Sequence, residues 1–360
     1  MKFRILAFSN LSDKKLLSKI LPIQKNEYVD KFLLFRAKIL EDSSIIQIKD
    51  INLFKLNNYI YDLYRFIRSF VIIPKFKINA FMGIFFFNHG LIAWILSRIF
   101  KKPLILLLTG SDIDFILRTG NHFHIIKDAD ILIVRGSDTK RTLISLGIKS
   151  ERIFIVPNLL EMKFEQFPNQ KKIYDLIFIG RLADEKRIDT LIYSVFIAKN
   201  KYNMENIKLI IVGEGEKRHL AEHLIHELHL NENIILYGET DDIDKLLIQS
   251  KVFILTSERD SLPQSMIEAL SNGIPCIVSD LPNFRDYLTN YQDSILVSKY
   301  DTEGFAEAIN TLLIDRELYN KLQTGASKFY EKQKENYSLT NISQIWSEVF
   351  QRLSSTKMER

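Results

Sequence analysis

The sequence predicts an α/β chain of two successive domains, each a parallel sheet flanked by helices. Three observations lead there. Short apolar runs rich in Ile, Val, Leu and Phe recur along the 360 residues, bounded by Gly, Pro or Asn, as strands buried on both faces do. Helical patterns alternate with these runs, which calls for crossover connections and therefore parallel pairing. A polar stretch, Glu161–Lys172 with Pro168, then separates one βα series from the next, and the chain length suits two domains.

In chain order, Phe3–Phe8 reads as the first strand and Ser9–Lys14 as the loop above it. Lys15–Leu21 is too short to assign, Phe32–Leu40 is apolar and mixed, and Ile45–Ile48 reads as a strand. Leu53–Ile73 has helical spacing with aromatic and basic residues interleaved, and Pro74 is expected to end it. A helix packed on the core accounts for this pattern; a helix laid on an anionic bilayer is the alternative. Phe81–Phe100 is long and apolar enough to suggest a membrane span. Asn88, His89 and Gly90 interrupt it, and the favoured parse is a strand Ala80–Phe87, a polar loop and a helix Leu91–Phe100. Lys101–Pro103 and a strand Leu104–Leu108 complete a βαβ unit. Thr109–Asp114 reads as the loop after that strand, Ala129–Val134 as a strand, Ser137–Leu146 as a helix capped by Ser137, and Ile153–Val156 as the strand that closes the first domain.

The second series runs strand Tyr174–Ile179, loop Gly180–Arg187, helix Ile188–Lys199, strand Lys208–Val212, turn Gly213–Gly215 and helix Glu216–Leu228. Strand Ile234–Tyr237, loop Gly238–Asp241 and helix Ile243–Gln249 follow. Strand Lys251–Leu255 then leads through a polar loop into helix Gln264–Asn272, which Gly273 and Pro275 stop before strand Cys276–Ser279. Ser294–Val297 and Glu303–Leu313 continue the alternation, Arg316–Arg352 is mostly helical, and the last residues are expected to fray.

Composition narrows the function classes. Cys276 is the single cysteine, which excludes an intrachain disulfide framework and suits a reducing compartment. The first residues, MKFRILAFSN, lack the long apolar core and small-residue cleavage site of a signal peptide, so a cytoplasmic location is expected. The net charge of +5 is uneven: residues 1–170 carry 26 Lys and Arg against 15 Asp and Glu, and the remainder 23 against 29. A basic first half facing an acidic second half suggests that the first meets an anionic surface, such as the inner face of the cytoplasmic membrane.

Four constellations could carry chemistry. Gly180 lets the chain turn sharply after a strand, and Arg181 and Lys186 flank the next helix start, an arrangement suited to a diphosphate. Gly213-Glu214-Gly215 resembles the opening of a dinucleotide fingerprint, but Arg218 stands at the third glycine, so it reads as a tight turn near a ligand and disfavours a dehydrogenase. Asp260 lies on a loop beyond a strand and Glu268 eight residues on, within the following helix, so the pair could reach two parts of one polyhydroxylated ligand. His89 and Thr109-Gly110-Ser111-Asp112 lie on neighbouring loops of the first domain, where they could form the other wall of a cleft. His219, His223, His226 and His229 share one helical stretch without a zinc signature and read as a solvated face. No recognised nucleic-acid module accompanies the basic segments.

Taken in order, these residues resemble the retaining GT-B glycosyltransferases of family 4. Asp260–Pro275 resembles that family's E-x7-E motif followed by G-x-P. Gly180-Arg181-Leu182 with Lys186 is similar to its G-R-L…K element, Val212-Gly213-Glu214-Gly215 to its V-G-x-G turn, and Tyr237-Gly238 to its strand-end glycine. Thr109–Asp112 resembles the H-G-S-D loop and Val156-Pro157-Asn158 the V-P-N segment. The resemblance implies two Rossmann-like α/β/α domains facing across a cleft: an acceptor domain over residues 1–162, a nucleotide-sugar domain over 163–335, and a final helix, 336–360, returning to the first. It implies a sugar transferase acting from a UDP- or GDP-sugar on a glycan or lipid-linked acceptor in cell-surface polysaccharide assembly, with no cofactor and no metal. A non-catalytic nucleotide-sugar binder or scaffold subunit is the alternative.

The implied roles are these. Arg181 and Lys186 hold the diphosphate, Glu268 the ribose and Asp260 the donor sugar, with Ser261, Leu262, Pro263 and Gln264 assisting. Tyr237–Thr240, including Thr240, borders the base, and Gly180 and Gly213 line the donor. Asp112 and His89 join Asp260 as catalytic candidates, and Asn10, Thr109 and Ser111 face the acceptor. Asp260 stands where the family usually carries Glu, and Thr109 where it often carries His. The first loop, Ser9-Asn10-Leu11, lacks the family's glycine pair.

Overall fold

A computed structural model describes residues 2–9, 13–36, 46–49, 58–84, 89–108, 110–120, 123–159, 171–260 and 263–356. The chain divides into two compact units, one of Met1–Glu161 with Glu335–Arg360 and one of Met162–Lys334.

The first unit is a seven-stranded parallel sheet. Its strands are β1 (Phe3–Phe8), β2 (Val29–Arg36), β3 (Ile46–Lys49), β4 (Ala80–Ile84), β5 (Leu104–Leu107), β6 (Ile131–Val134) and β7 (Ile153–Ile155), in the order β3-β2-β1-β4-β5-β6-β7. Alternation along the strands sends side chains to two separate cores. Leu6, Phe8, Leu33, Phe35, Phe81 and Leu106 pack on one face under α2 (Asn58–Phe76), α3 (Leu91–Phe100), α5 (Phe123–Asp128) and α6 (Ser137–Ser145). Phe3, Ile5, Ala7, Leu34, Met82 and Ile105 pack on the other, under α1 (Asp13–Gln24) and the last helix, α13 (Leu339–Thr356). Helix α13 buries Ile342, Trp346, Val349, Phe350 and Leu353, the spacing of one helical stripe. The Asn26 amide ties it down by donating to the Ser343 carbonyl at 2.7 Å and the Ser347 hydroxyl at 3.0 Å.

The second unit is a six-stranded parallel sheet of β8 (Tyr174–Ile179), β9 (Leu209–Val212), β10 (Ile234–Gly238), β11 (Ser250–Leu255), β12 (Cys276–Ser279) and β13 (Ser294–Val297), in the order β10-β9-β8-β11-β12-β13. Helices α7 (Ile188–Lys201), α8 (Arg218–Glu227), α9 (Ile243–Ile248), α10 (Gln264–Ser271), α11 (Thr302–Ile314) and α12 (Arg316–Gln333) cover it. Strands β8 and β11 are neighbours although two strands lie between them in sequence. The order of the strands therefore reverses between β8 and β11, and the carboxyl ends of these two strands form a topological switch point, the place where ligands bind in open α/β sheets.

Several sequence expectations are corrected. Pro74 lies inside α2 instead of ending it. It sits in the final turn, where it forgoes one N–H bond, and the helix stops three residues later at Lys77, which adopts a left-handed φ of 52°. Gly110–Asp114 is not loop but the start of helix α4 (Gly110–Thr119), with Asp112 buried in its first turn. An acid there is favoured by the exposed N–H groups of the helix start. The cap of α6 is Gly136, one residue before the expected Ser137. Helix α8 begins at Arg218, after Lys217, and not at Glu216. Asp13 and Lys14, expected in the loop after β1, open helix α1, which takes in the unassigned Lys15–Leu21, and the mixed stretch from Phe32 belongs to strand β2. Helix α13 extends through Thr356, beyond the expected frayed end. Residues 85–87 of the expected strand Ala80–Phe87 and 161–170 of the expected linker lie outside the described residues.

Candidate functional site

The carboxyl edge of the second sheet gathers the site. Beyond β8, Gly180 donates its N–H to the Val212 carbonyl at 3.0 Å and Leu182 to the Glu214 carbonyl at 2.8 Å, while Lys217 donates back to the Leu182 carbonyl at 2.9 Å. The loops after β8 and β9 thus lie backbone on backbone. A Cβ on Gly213 or Gly215 would collide with the carbonyl oxygens of Gly180 and Leu182, and both glycines have positive φ, 136° and 157°. The Val212–Gly215 turn therefore has a structural reason for its glycines: it props up the Gly180 loop. Gly180 differs, because a Cβ there would meet only ordinary side-chain contacts, Phe178 at 3.4 Å and Lys186 at 3.8 Å.

The β8 loop is also sewn to the loop after β11. The Thr256 hydroxyl donates to the carbonyls of Lys186 and Arg187 at 3.1 and 3.0 Å, and the Glu258 N–H donates to the Glu185 carbonyl at 2.9 Å. Lys186, in a short 3-10 turn (Asp184–Lys186), is thereby aimed at Asp260, and its ammonium is hydrogen-bonded to the Asp260 carboxylate. Both side chains are only 15% exposed. The Asp260 carbonyl accepts from Asn283, a nearly buried amide, at 3.1 Å. Ser265, on the first turn of α10, donates to the Ile179 carbonyl at 2.9 Å and holds that helix start against the end of β8.

Arg181 is 62% exposed and pairs with Glu185 at 2.7 Å. The hydrogen bond to Glu185 raises the Arg181 guanidinium above its ordinary range. Burial pushes the Glu185 carboxyl up, but its bonds to Arg181 and to backbone outweigh that and leave it below the usual range. Glu268 faces out of the middle of α10, half-buried, and accepts from the Gln264 amide at 2.9 Å. Pro263 is the buried N-cap of α10. Tyr237 is exposed at the end of β10. The Thr240 hydroxyl accepts from the Asp242 N–H at 3.1 Å, which starts α9. Ser261 and Leu262 lie outside the described residues.

In the first unit, His89 is mostly buried just before α3. Desolvation first, and the nearby Arg65 guanidinium second, lower its pKa to about 4. Its Nε2 stands 3.4 Å from the Arg65 guanidinium, which can only donate, and the ring is also hydrogen-bonded to the Ile84 backbone. His89 is therefore a neutral imidazole with both nitrogens engaged. Asp112 is buried at the start of α4. Ser111 opens the same helix, and Asn10 and Thr109 lie outside the described residues. The structure thus brings Arg181, Lys186, Asp260, Gln264 and Glu268 to one edge of the second sheet, with Asp112 and His89 in the first unit. Sequence reasoning missed Glu185, Thr256, Asn283 and Arg65. Only Thr256, a polar residue directly after an apolar strand, carries a local signal.

Comparison with known proteins finds likenesses that span this edge. Residues 161–329 match the family model described as glycosyl transferases group 1. The matched segment contains the Gly180, Lys186, Asp260 and Glu268 positions. An uncharacterized glycosyltransferase of Methanocaldococcus jannaschii is 37% identical over 167 residues, 43% of this chain and 40% of the relative. The UDP-Gal:alpha-D-GlcNAc-diphosphoundecaprenol alpha-1,3-galactosyltransferase of Escherichia coli is 28% identical over 185 residues, 50% of this chain and 46% of the relative. The chain spans less than half the length of either. Among solved structures, the Anabaena protein HepE in complex with UDP and glucose superimposes with a TM-score of 0.75 at 15% identity, covering 97% of this chain and 99% of that one. Sucrose-phosphate synthase from Thermosynechococcus elongatus gives a TM-score of 0.78 at 15% identity, covering 99% and 100%. These likenesses establish the fold: two Rossmann-like α/β domains, as in GT-B glycosyltransferases.

Proposed function

We propose that the chain is a retaining glycosyltransferase. It moves a sugar from a UDP- or GDP-sugar to a hydroxyl of a glycan or lipid-linked acceptor, at the inner face of the cytoplasmic membrane, in the assembly of a bacterial capsule, O-antigen or exopolysaccharide. The observation that carries this reading is the convergence of Lys186 and Asp260 where the strand order reverses, with Arg181 on the same loop. The glycosyl transferases group 1 match over residues 161–329 supports it.

In the reaction, the bond between the anomeric carbon and the diphosphate oxygen breaks, and its electron pair stays on the phosphate. The acceptor oxygen bonds to the anomeric carbon from the same face and passes its proton to the departing phosphate. Charge develops on the diphosphate, and fixed cations aimed there lower the barrier without reorganising. Arg181 and Lys186 fill that role in place of a metal. Without donor, each cation is neutralised by a carboxylate, Glu185 and Asp260. Donor binding exchanges those partners for phosphate oxygens. Asp260 is then released toward the sugar hydroxyls, and Glu268 accepts from the ribose diol.

Incubation with a panel of UDP- and GDP-sugars, followed by thermal unfolding, identifies the donor, because a ligand of the folded state raises stability. NMR of the product then reads the anomeric configuration. Donor binding with neither transfer nor slow hydrolysis would make the chain a binder instead, and an inverted anomer would remove the retaining assignment. A rate unchanged by EDTA is expected.

A further inference from the structure

Helix α2 of the first unit is apolar on two opposite sides. One side holds Ile72 and Ile73 in the core, with the buried Arg65 and Ser69 beside them. The other side carries Ile60, Leu63, Ile67, Phe70 and Val71, all exposed, with Leu63 at 58%, Ile67 at 60% and Val71 at 67%. A helix on the surface of a globular domain ordinarily keeps that second side polar. The spacing of three and four residues puts these five side chains in one stripe along the solvent face. Helix α3 lies beside it: Phe70 packs on Phe100 at 5.5 Å between ring centres, and α3 carries an exposed apolar residue of its own, Ile99. Contiguous exposed apolar surface of this kind marks an interaction site.

The charges around the stripe are predominantly positive. Helices α2 and α3 end at the same edge of the sheet, since each leads into the next parallel strand. Their ends bring together Lys75, Lys77, Arg98, Lys101 and Lys102. Asp62 is the only acid between residues 51 and 111, and it sits 3.7 Å from the buried Arg65. Asp128, on α5, is the nearest acid on the adjoining helix and is engaged by Trp94 at 2.9 Å and Arg98 at 3.7 Å. Among the described residues no helix is long and apolar enough to cross a bilayer.

We propose that this face of α2 and α3 docks on the surface of an anionic lipid bilayer. Ile67, Phe70, Val71 and Ile99 insert among the acyl chains near the headgroups, and Lys75, Lys77, Arg98, Lys101 and Lys102 meet the lipid phosphates. An apolar stripe flanked by cations is what an in-plane interfacial helix requires. Here the opposite side of the helix is already fixed to a folded core, so docking orders no disordered segment. The inference rests on the membrane-face placement of the proposed function and deepens it; it concerns the first unit alone and vesicle binding is read without donor or acceptor, so its failure is distinguishable from a failure of sugar transfer.

The test is sedimentation of the full chain with phosphatidylcholine vesicles and with mixed phosphatidylglycerol–phosphatidylcholine vesicles. Binding is expected to the mixed vesicles only, weakening as salt rises. Each cation neutralised in Lys75→Gln, Lys77→Gln or Lys101→Gln is expected to lower affinity about fivefold. Ile67→Glu with Val71→Glu is expected to lower it more than about tenfold, with circular dichroism and thermal unfolding unchanged because both positions are exposed. Ile67→Ser with Val71→Ser repeats the experiment should the acidic variant misfold. Absence of vesicle binding, or binding indifferent to all these variants, would overturn the proposal. So would light scattering that finds a dimer dissolved by Ile67→Glu in a chain that ignores vesicles, since the face would then belong to a second copy.

Discussion

Replacing Asp260 with Asn tests the partner exchange at the centre of the donor site. The carboxylate and the Lys186 ammonium are both 15% exposed and bonded to each other. At an effective dielectric of about 20, opposite charges about 4 Å apart attract by roughly 4 kcal/mol. Part of that offsets the desolvation both groups suffer, and the remaining exposure lets water take up some of the rest. Removing the acid should therefore cost about 2–3 kcal/mol, within the range for hydrogen bonds to charged groups and below that for a fully buried pair. Urea unfolding of the second unit reads this loss. The effect on a nucleoside diphosphate should be opposite in sign. Lys186 no longer has to leave a carboxylate, and phosphate no longer faces a negative neighbour, so UDP or GDP should bind about tenfold tighter, a gain of about 1.4 kcal/mol. Sugar transfer should fall at the same time. Calorimetric titration of the variant, with Lys186→Met and the double variant beside it, isolates the coupling between the two residues. Weaker or unchanged diphosphate binding in Asp260→Asn would refute the exchange, because the carboxylate would then not compete with phosphate for Lys186.

Other consequences can be measured directly. Arg181→Ala should weaken diphosphate binding at least about tenfold, yet leave stability within about 1 kcal/mol because its ion pair with Glu185 is exposed; calorimetry and thermal unfolding separate the two effects. Gly213→Ala should destabilise the second unit by more than about 2 kcal/mol through positive φ and collision with the Gly180 carbonyl. Gly180→Ala, which meets only ordinary contacts, should unfold at nearly the wild-type temperature. His89 titrates at about 4 in the fold against 6.5 free. The unfolded chain therefore takes up this proton first as pH falls, and the stability that the neutral ring contributes is complete above pH 6.5 and lost toward pH 4. The loss amounts to up to about 3 kcal/mol at 1.36 kcal/mol per unit. Urea titrations across that window should show the slope in the wild type and a flatter one in His89→Asn.

The sequence was informative where a strand is buried on both faces. Tyr174–Ile179 and Lys251–Leu255 stand out as apolar runs, and the polar residues that follow them, Gly180–Lys186 and Asp260, are then placed at the sheet edge by the chain itself. The pairing of Lys186 with Asp260 was not legible, since 74 residues separate them and only the adjacency of β8 and β11 joins their loops. Thr256 and Asn283 act through backbone carbonyls, an interaction that leaves no pattern in residue types. The polar string Gly110-Ser111-Asp112 reads as loop because small polar residues favour turns as readily as helix starts. Helix α2 packs on the core as expected, but its second apolar side was not legible. Its aromatic and aliphatic residues are numerous enough to line two sides, and periodicity alone does not say which side meets the sheet.

The return of α13 to the first unit has a consequence for how the chain is made. Residues 162–334 are continuous and can fold as soon as they leave the ribosome. The first unit cannot. Phe3, Ile5 and Met82 face a core that stays open until Ile342, Trp346 and Phe350 have been synthesised. The amino-terminal sheet is thus begun first and completed last, because one of its faces is covered only once α13 has been made.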